Sequence, residues 1–368
     1  MEKKKVAVGM SGGVDSAVSA LLLKEQGYDV TGIFMKNWDD SRDSECTAAD
    51  DFFDVRRVCD TLDIPYYTVD FEEDYWQRVF TYFLDEYKRA RTPNPDVLCN
   101  SEIKFKSFLD FCMDTGAQFM ATGHYARSVF DGDGSFRLLK GLDAGKDQTY
   151  FLCMVGADRL SKTLFPIGHM QKRDVRALAQ RAGLPVAAKK DSTGICFIGE
   201  RKFREFLSRY LPAQKGEIRT LSGEYVKDHD GLMYYTLGQR RGLDIGGCGT
   251  GERWFVVGKD VRSNVLYVEQ GEDSPALYSS SLTTGPVNFI RDPFACRESF
   301  RAGVKVRYRQ PDQPATVTRM ENGCLQIVFD NPQRAVTPGQ YAVLYLDDEC
   351  LGGGVIETMD APAPWILV

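Results

Sequence analysis

The run Ser11-Gly12-Gly13-Val14-Asp15-Ser16 has the residue types to hold a phosphate group. Its glycines let backbone N–H groups approach an anion, and a helix beginning there adds partial positive charge. Ser11 and Ser16 can donate hydroxyl hydrogen bonds. Asp15 sits oddly beside a phosphate. It makes sense if it orients the loop through backbone N–H groups, or if it helps to hold Mg²⁺. The absence of Gly-Lys-Ser/Thr rules out a Walker loop, and the glycine spacing is not that of a dinucleotide fingerprint.

Two cysteines stand in chemically unusual surroundings. Cys99 closes the segment Thr92-Pro93-Asn94-Pro95-Asp96-Val97-Leu98-Cys99, which its prolines stiffen. Asn100 or Ser101 can cap a helix that follows, so Cys99 is expected at or just before a helix N-terminus, where a thiolate is favoured. Asp96, three residues earlier, is an acid–base candidate; an Asp after Asn-Pro also suits a turn. Cys196 lies between Gly194 and Gly199 on a loop preceded by Lys189-Lys190. Most of the 10 cysteines should be buried small hydrophobes, but local chemistry argues otherwise for these two. No pair has C-x-x-C spacing, so no bound zinc or iron–sulfur cluster is expected, and no dedicated protein metal site is predicted.

The elements that must position these residues follow a β-α-β-α rhythm. Strands are predicted over 6–10, 29–35, 66–69 and 118–122, with helices over 17–26, 48–62, 72–89 and 101–115. That pattern means a doubly wound parallel sheet with helices on both faces. A hairpin over 127–140 and helices over 148–154, 172–182 and 202–210 come next. Helical periodicity then disappears, and glycines punctuate short β-rich runs. The expected division is a nucleotide-binding catalytic domain over 1–210, a small central β-rich domain over 211–280 and a C-terminal β-barrel over 281–368.

The 368 residues are 43% hydrophobic and 27% charged, with a net charge of −6. No apolar stretch approaches the roughly 20 residues that span a bilayer, and the apolar run after Lys5 is too short for a signal peptide. A cytoplasmic protein is expected. The net charge gives no global attraction to nucleic acid, but local basic pieces such as Lys88-Arg89, Arg240-Arg241 and the stretch from Arg301 to Arg309 could supply a phosphate-binding face. Arg301, Lys305, Arg307, Tyr308 and Arg309 fit an RNA-facing strand or an edge strand guarded by charge. His124 lies at a strand end near the expected nucleotide crevice, while His169 and His229 are expected at the surface.

Ser-Gly-Gly-x-Asp-Ser directly after a first strand resembles the signature of the PP-loop ATP pyrophosphatases. The resemblance implies cleavage of ATP between its α and β phosphates and activation of a substrate as an adenylate. With Asn94-Pro95-Asp96 and Cys99, Ala121-Thr122-Gly123-His124-Tyr125, Lys146-Asp147-Gln148, the Cys196 loop, 231–239 and 350–354, it resembles the bacterial-type tRNA-specific 2-thiouridylases along essentially the whole chain. That resemblance implies replacement of oxygen by sulfur at C2 of the wobble uridine, with ATP and Mg²⁺ used as substrate. It implies ATP contacts at Gly9, Met10, Ser11, Gly12, Gly13, Val14, Asp15, Ser16, Met35 and Gly123. Cys196 would carry a persulfide and Cys99 would be the nucleophile. The target base would lie against Asn94, Pro95 and Asp96, with further tRNA contacts at Lys146, Asp147, Gln148, Arg307 and Tyr308. Implied partners are tRNAs for Glu, Gln and Lys, and a sulfur donor, either a cysteine desulfurase or a relay carrier. A disulfide between Cys99 and Cys196 is one expected intermediate. The competing reading is a PP-loop ligase or amidotransferase with a small-molecule substrate, which leaves both cysteines unexplained. A tRNA-binding or sulfur-carrier protein without ATP chemistry leaves the loop unexplained.

Overall fold

The computed structural model describes residues 3–38, 48–132, 134–191, 203–246, 250–295, 297–361 and 365–366. β1 (Lys5–Met10) is buried from Val6 onward, as a strand must be when helices cover both faces of its sheet. It pairs in parallel with β2 (Asp29–Lys36) on one side and β4 (Phe119–Ala121) on the other. β3 (Tyr66–Asp70) lies beyond β2, and Thr163–Leu164 beyond β4, all parallel. Alternation along β1 divides the core. Val6, Val8 and Met10 pack with α1 (Val14–Glu25), α2 (Ala48–Leu62) and the later helix Lys172–Arg181. Ala7 faces the opposite side with Phe105, Phe108 and Leu109. Each fully buried side chain of that size contributes about 1.5–3 kcal/mol. Successive strands run outward from β1 through β2 to β3, then restart at β4. The carboxyl ends of β1 and β4 therefore flank the switch point where such sheets open a crevice.

The helix carrying Cys99 differs from expectation. It begins at Pro95 and runs through Pro95–Leu98, Cys99–Phe108 and Leu109–Asp114 as one helix over 95–114, the middle part with wide i→i+5 turns. Proline suits the first helical position, because its missing N–H would be unsatisfied there anyway. Asn94, in extended conformation, precedes it. Asn100 and Ser101 therefore do not cap the helix, and Cys99 lies one turn inside it. The preceding helix over 72–88 also holds a wide turn at Trp76–Phe80. Trp76 is 45% exposed and stacks on Trp38 with ring centroids 5.7 Å apart.

The β-rich half follows the expected order of a small central sheet and a barrel. The central sheet contains Gly216–Thr220, Tyr225–His229, Trp254–Asp260 and Val265–Gln270. The barrel closes where Tyr278–Thr284 pairs with Glu349–Met359. The expected 280/281 division falls inside the strand Tyr278–Thr284. The chain also crosses between units. β5 (Ala126–Phe130) and β6 (Phe136–Lys140) extend the barrel sheet through Leu138 and Leu139, and Trp365–Ile366 pairs with the central sheet. Unpaired strand edges take whichever partner is near, irrespective of chain position. Ser299–Lys305 lies between two other strands, so it is not an edge strand. His229 is buried at 1% exposure and not at the surface; its Nδ1 accepts from the Gly231 N–H at 3.0 Å.

Candidate active site

The loop after β1 ends at Gly13, which opens α1 with no side-chain cap. The first N–H groups of α1 are thus left for an anion. Ser16 ties the loop internally: its Oγ accepts from the Ser11 N–H and donates to the Gly13 carbonyl, both at 3.2 Å. Gly12 has φ +72°, and a Cβ there would come within 2.6 Å of the Asp51 carbonyl oxygen. Gly123, just after β4, presses on the start of α1; an added Cβ would lie 2.8 Å from Ser16 N and 2.9 Å from Asp15 C. Both obstacles are backbone and cannot swing aside. Gly123→Ala is expected to displace the loop and lower kcat/KM for ATP about tenfold, with thermal unfolding showing a folded protein. Met10 is buried, and Met35 Cε lies 3.5 Å from a Cβ placed at Gly9, so these residues wall the same strand ends.

Asp15 does not orient the loop as expected. Its carboxylate accepts from the Tyr125 hydroxyl at 2.9 Å and from Lys172 Nζ at 2.8 and 2.7 Å. Lys172 is 9% exposed and also reaches Asp191 Oδ1 at 2.8 Å. Lys146 and Arg176 each bond Asp191 at 2.7 Å. Burial raises the Asp191 pKa, but the hydrogen bonds from Lys146 and Lys172 outweigh it and bring the carboxyl down to about 2. A carboxyl depressed in the folded state stabilises the protein above its unfolded pKa near 4 and loses that contribution as pH falls toward 2. Asp191→Asn should therefore show a shallower fall in stability than the parent between about pH 4 and pH 2, read by acid unfolding followed with circular dichroism. Lys189 makes a parallel tie, donating to Asp51 at 2.8 Å and Asp54 at 2.7 Å, and so holds the backbone that faces Gly12.

Sequence reasoning missed Lys172, and gave no role to Tyr125 or Asp191. A signal existed. Lys172 occupies the first position of its helix, where positive charge opposes the helix dipole and needs anionic partners to be tolerated. His124 is buried beside Phe105 and Phe165 and bonds Thr122 Oγ1 through Nδ1 at 2.9 Å. Burial first, then Lys104, push its pKa well below the usual value, so its imidazole is neutral and shapes the β4 end.

Against the expectation that it would differ from the buried cysteines, Cys99 is 1% exposed, because its helix starts a turn earlier and turns this position onto Tyr75, Val79, Phe80 and Phe83 of the preceding helix and onto Phe206 and Leu207. Asp96 is half-buried in the first turn of the Cys99 helix, where negative charge is favoured. Asn100, next to Cys99, donates through Nδ2 to the Phe151 carbonyl at 3.2 Å. Phe151 packs on Tyr308 with centroids 4.4 Å apart. The fold thereby gathers the Cys99 helix, 146–151 and Tyr308. Within that group several side chains turn inward. Asp147 is buried and accepts from the Gly141 N–H and from Thr149, both at 3.0 Å. Gln148 Oε1 accepts from the Tyr125 N–H at 2.9 Å. Arg307 donates to the carbonyls of Leu237 at 3.1 Å and Ala335 at 3.0 Å. These guanidinium and carboxylate groups brace the surface instead of presenting charge on it. Arg301 is exposed but paired with Asp330. Cys196 lies outside the described residues.

A glycine loop between first strand and first helix, at the switch point of a parallel sheet and joined to two β-rich units, defines an ATP-using PP-loop enzyme. Family models described as a tRNA methyl transferase HUP domain, a tRNA methyl transferase PRC-barrel domain and an aminomethyltransferase beta-barrel domain match residues 4–200, 204–270 and 279–356. The chain is 62% identical over 356 residues to the tRNA-specific 2-thiouridylase MnmA 2 of Geobacillus kaustophilus, covering 96% of this chain and 94% of that protein. It is 59% identical to the tRNA-specific 2-thiouridylase MnmA of Alkaliphilus oremlandii, covering 96% and 97%. A solved U34-tRNA thiolase NcsA from Methanococcus maripaludis aligns with a TM-score of 0.35 and 21% identity, over 57% of this chain and 65% of that one, too distant to carry an argument. The chain belongs to the tRNA-specific 2-thiouridylase family.

Proposed function

We propose that this protein catalyses ATP-dependent 2-thiolation of the wobble uridine in tRNA. The observation that carries the reading is full-length relatedness to 2-thiouridylases combined with an intact phosphate loop at the switch point. The uracil O2 attacks the α-phosphorus of ATP, and pyrophosphate leaves. The loop N–H groups and α1 stabilise the departing charge. C2 is now bonded to an oxygen that departs as part of AMP. In one route the terminal sulfur of a Cys196 persulfide attacks C2 and expels AMP; the Cys99 thiolate then attacks Cys196 Sγ and frees the thiolated base. In the other, Cys99 attacks Cys196 Sγ first and releases hydrosulfide, which attacks C2. Either route leaves a Cys99–Cys196 disulfide that an external thiol reductant must reopen.

Asp96, beside the target base with Asn94 and Pro95, would handle the proton on the ring. A uridine in an anticodon loop must turn out of its stack to reach this crevice. Tyr308 would meet the tRNA, as would Lys146 if it can leave Asp191, while Asp147, Gln148 and Arg307, bonded inward, would brace that surface from below. Mg²⁺ arriving with ATP fits Asp15, because this ion takes one or two carboxylates together with phosphate oxygens; the carboxylate would be shared with Lys172. The sulfur would come from a cysteine desulfurase or a relay carrier, and the substrates would be tRNAs for Glu, Gln and Lys. Among the described residues no helix is long and apolar enough to cross a membrane, and we place the protein with its tRNA in the cytoplasm. The test compares tRNA transcripts bearing uridine or cytidine at the wobble position. Pyrophosphate release should require the uridine; equal release with both would send the assignment back to a small-molecule ligase.

A further inference from the structure

The segment leading to Asp96 and Cys99 is held by the C-terminal barrel. Pro93 and Pro95 have no N–H, so the segment around them offers carbonyls and few donors. Gln340, on the loop between two barrel strands, supplies the missing donor. Its Nε2 donates to the Thr92 carbonyl at 2.8 Å and the Pro93 carbonyl at 3.3 Å. The Thr92 N–H donates in turn to the Pro338 carbonyl at 3.2 Å. Gly339 has φ +93°, and a Cβ on it would lie 3.0 Å from Thr92 C, so the loop and the segment touch backbone to backbone. The loop is itself fixed: the Gly339 N–H donates to the Ile356 carbonyl at 2.9 Å, and the Ile356 N–H to the Gln340 carbonyl at 2.8 Å. One residue upstream, Arg91 pairs with Glu357 at 2.7 Å and Glu86 at 2.9 Å and is 7% exposed.

We propose that Gln340 is a positioning residue for sulfur transfer, through which the barrel sets the register of Asn94–Asp96 and the start of the Cys99 helix. It touches no reacting atom. Its side chain fixes two consecutive carbonyls immediately before the proline-started helix, and a helix anchored at its first turn carries the residues of that turn with it. This inference rests on the reading of Asp96 and Cys99 given above.

Gln340→Met keeps the length of the side chain and removes the donor; Gln340→Lys keeps a donor of similar reach. For Gln340→Met at saturating tRNA, kcat for thiolation should fall about tenfold, short of the hundredfold that a full ångström of misplacement costs. KM for ATP should stay within about twofold of the parent, since the phosphate loop lies on other elements. Gln340→Lys should recover most of the rate. A Gln340→Met enzyme with parental kcat overturns the proposal. So does a loss of rate that comes with an equal rise in KM for ATP, or one that Gln340→Lys shares in full, because either marks general loosening. The unsubstituted enzyme is the control for the underlying reading: if it does not thiolate tRNA, the functional assignment fails, not the brace.

Discussion

Cys99→Ser should bind ATP as the parent does and lose tRNA thiolation by roughly a thousandfold or more. Serine exchanges one small atom for another, so the packing against Tyr75, Phe80 and Phe83 is largely kept. The hydroxyl is placed where residue 99 is 1% exposed, and burying a hydroxyl in place of a thiol costs at most roughly 1–3 kcal/mol. That is less than the 5–15 kcal/mol typical of a folded domain, so the variant should remain folded with a lowered Tm. The chemistry does not survive: a thiolate attacks sulfur, whereas a serine hydroxyl is protonated at neutral pH and a poor nucleophile toward disulfide sulfur. Cys196→Ser should give the same outcome. Calorimetric titration with ATP and nucleoside analysis of the tRNA check the two halves separately. Full product from either variant would remove the two-cysteine scheme and leave the ATP chemistry standing.

Lys172→Met is expected to act at the earlier step. In the parent, Lys172 faces Asp15 and Asp191 together. Without it, Asp15 keeps the Tyr125 hydroxyl but loses its cation, and an uncompensated carboxylate stands beside the loop that must receive a triphosphate. Partly buried pairs of this kind are costly to break on one side. Release of pyrophosphate in the presence of tRNA should fall by roughly 100- to 1000-fold, while Lys172→Arg should keep a substantial part of it. Asp15→Ala should also lose pyrophosphate release. Because the two residues form one pair, the double variant Asp15→Ala/Lys172→Met should be less impaired than the product of the single effects. Unchanged pyrophosphate release in Lys172→Met would deny it this role and leave it as a buried lysine that only braces the fold.

What was legible in the sequence follows the reach of each signal. β1 and α1 are local: a short apolar run, glycines and an apolar helix announce themselves within twenty or so residues. The doubly wound order, the central sheet and the barrel followed from repeating such signals. The glycine loop was legible for the same reason, since Gly12 holds a φ of +72° against the Asp51 backbone and Gly13 opens the helix directly after it. The side-chain partners of Asp15 were not legible, because Tyr125 and Lys172 lie far along the chain and no local pattern links them. The helix start at Pro95 was missed in favour of Asn100 or Ser101, although proline at a first helical position is a known signal; the capping residues downstream competed with it. Arg307 was read as surface charge from its neighbours, yet three acceptors on distant segments, Leu237, Ala335 and Thr337, turn it inward. Likewise the strand Ser299–Lys305 has a charged composition that suits an edge, and its interior place is decided by pairing with strands on both sides.

The measurement that bears most directly on the central claim is mass spectrometry of the wobble nucleoside. Unmodified tRNA would be incubated with the purified protein, ATP, Mg²⁺, a persulfide donor and a thiol reductant, then digested to nucleosides. The wobble uridine should gain one sulfur in exchange for one oxygen, the gain should require ATP, and it should be absent with Cys99→Ser. A uridine that keeps its oxygen while the protein still cleaves ATP with some other acceptor would contradict the claim.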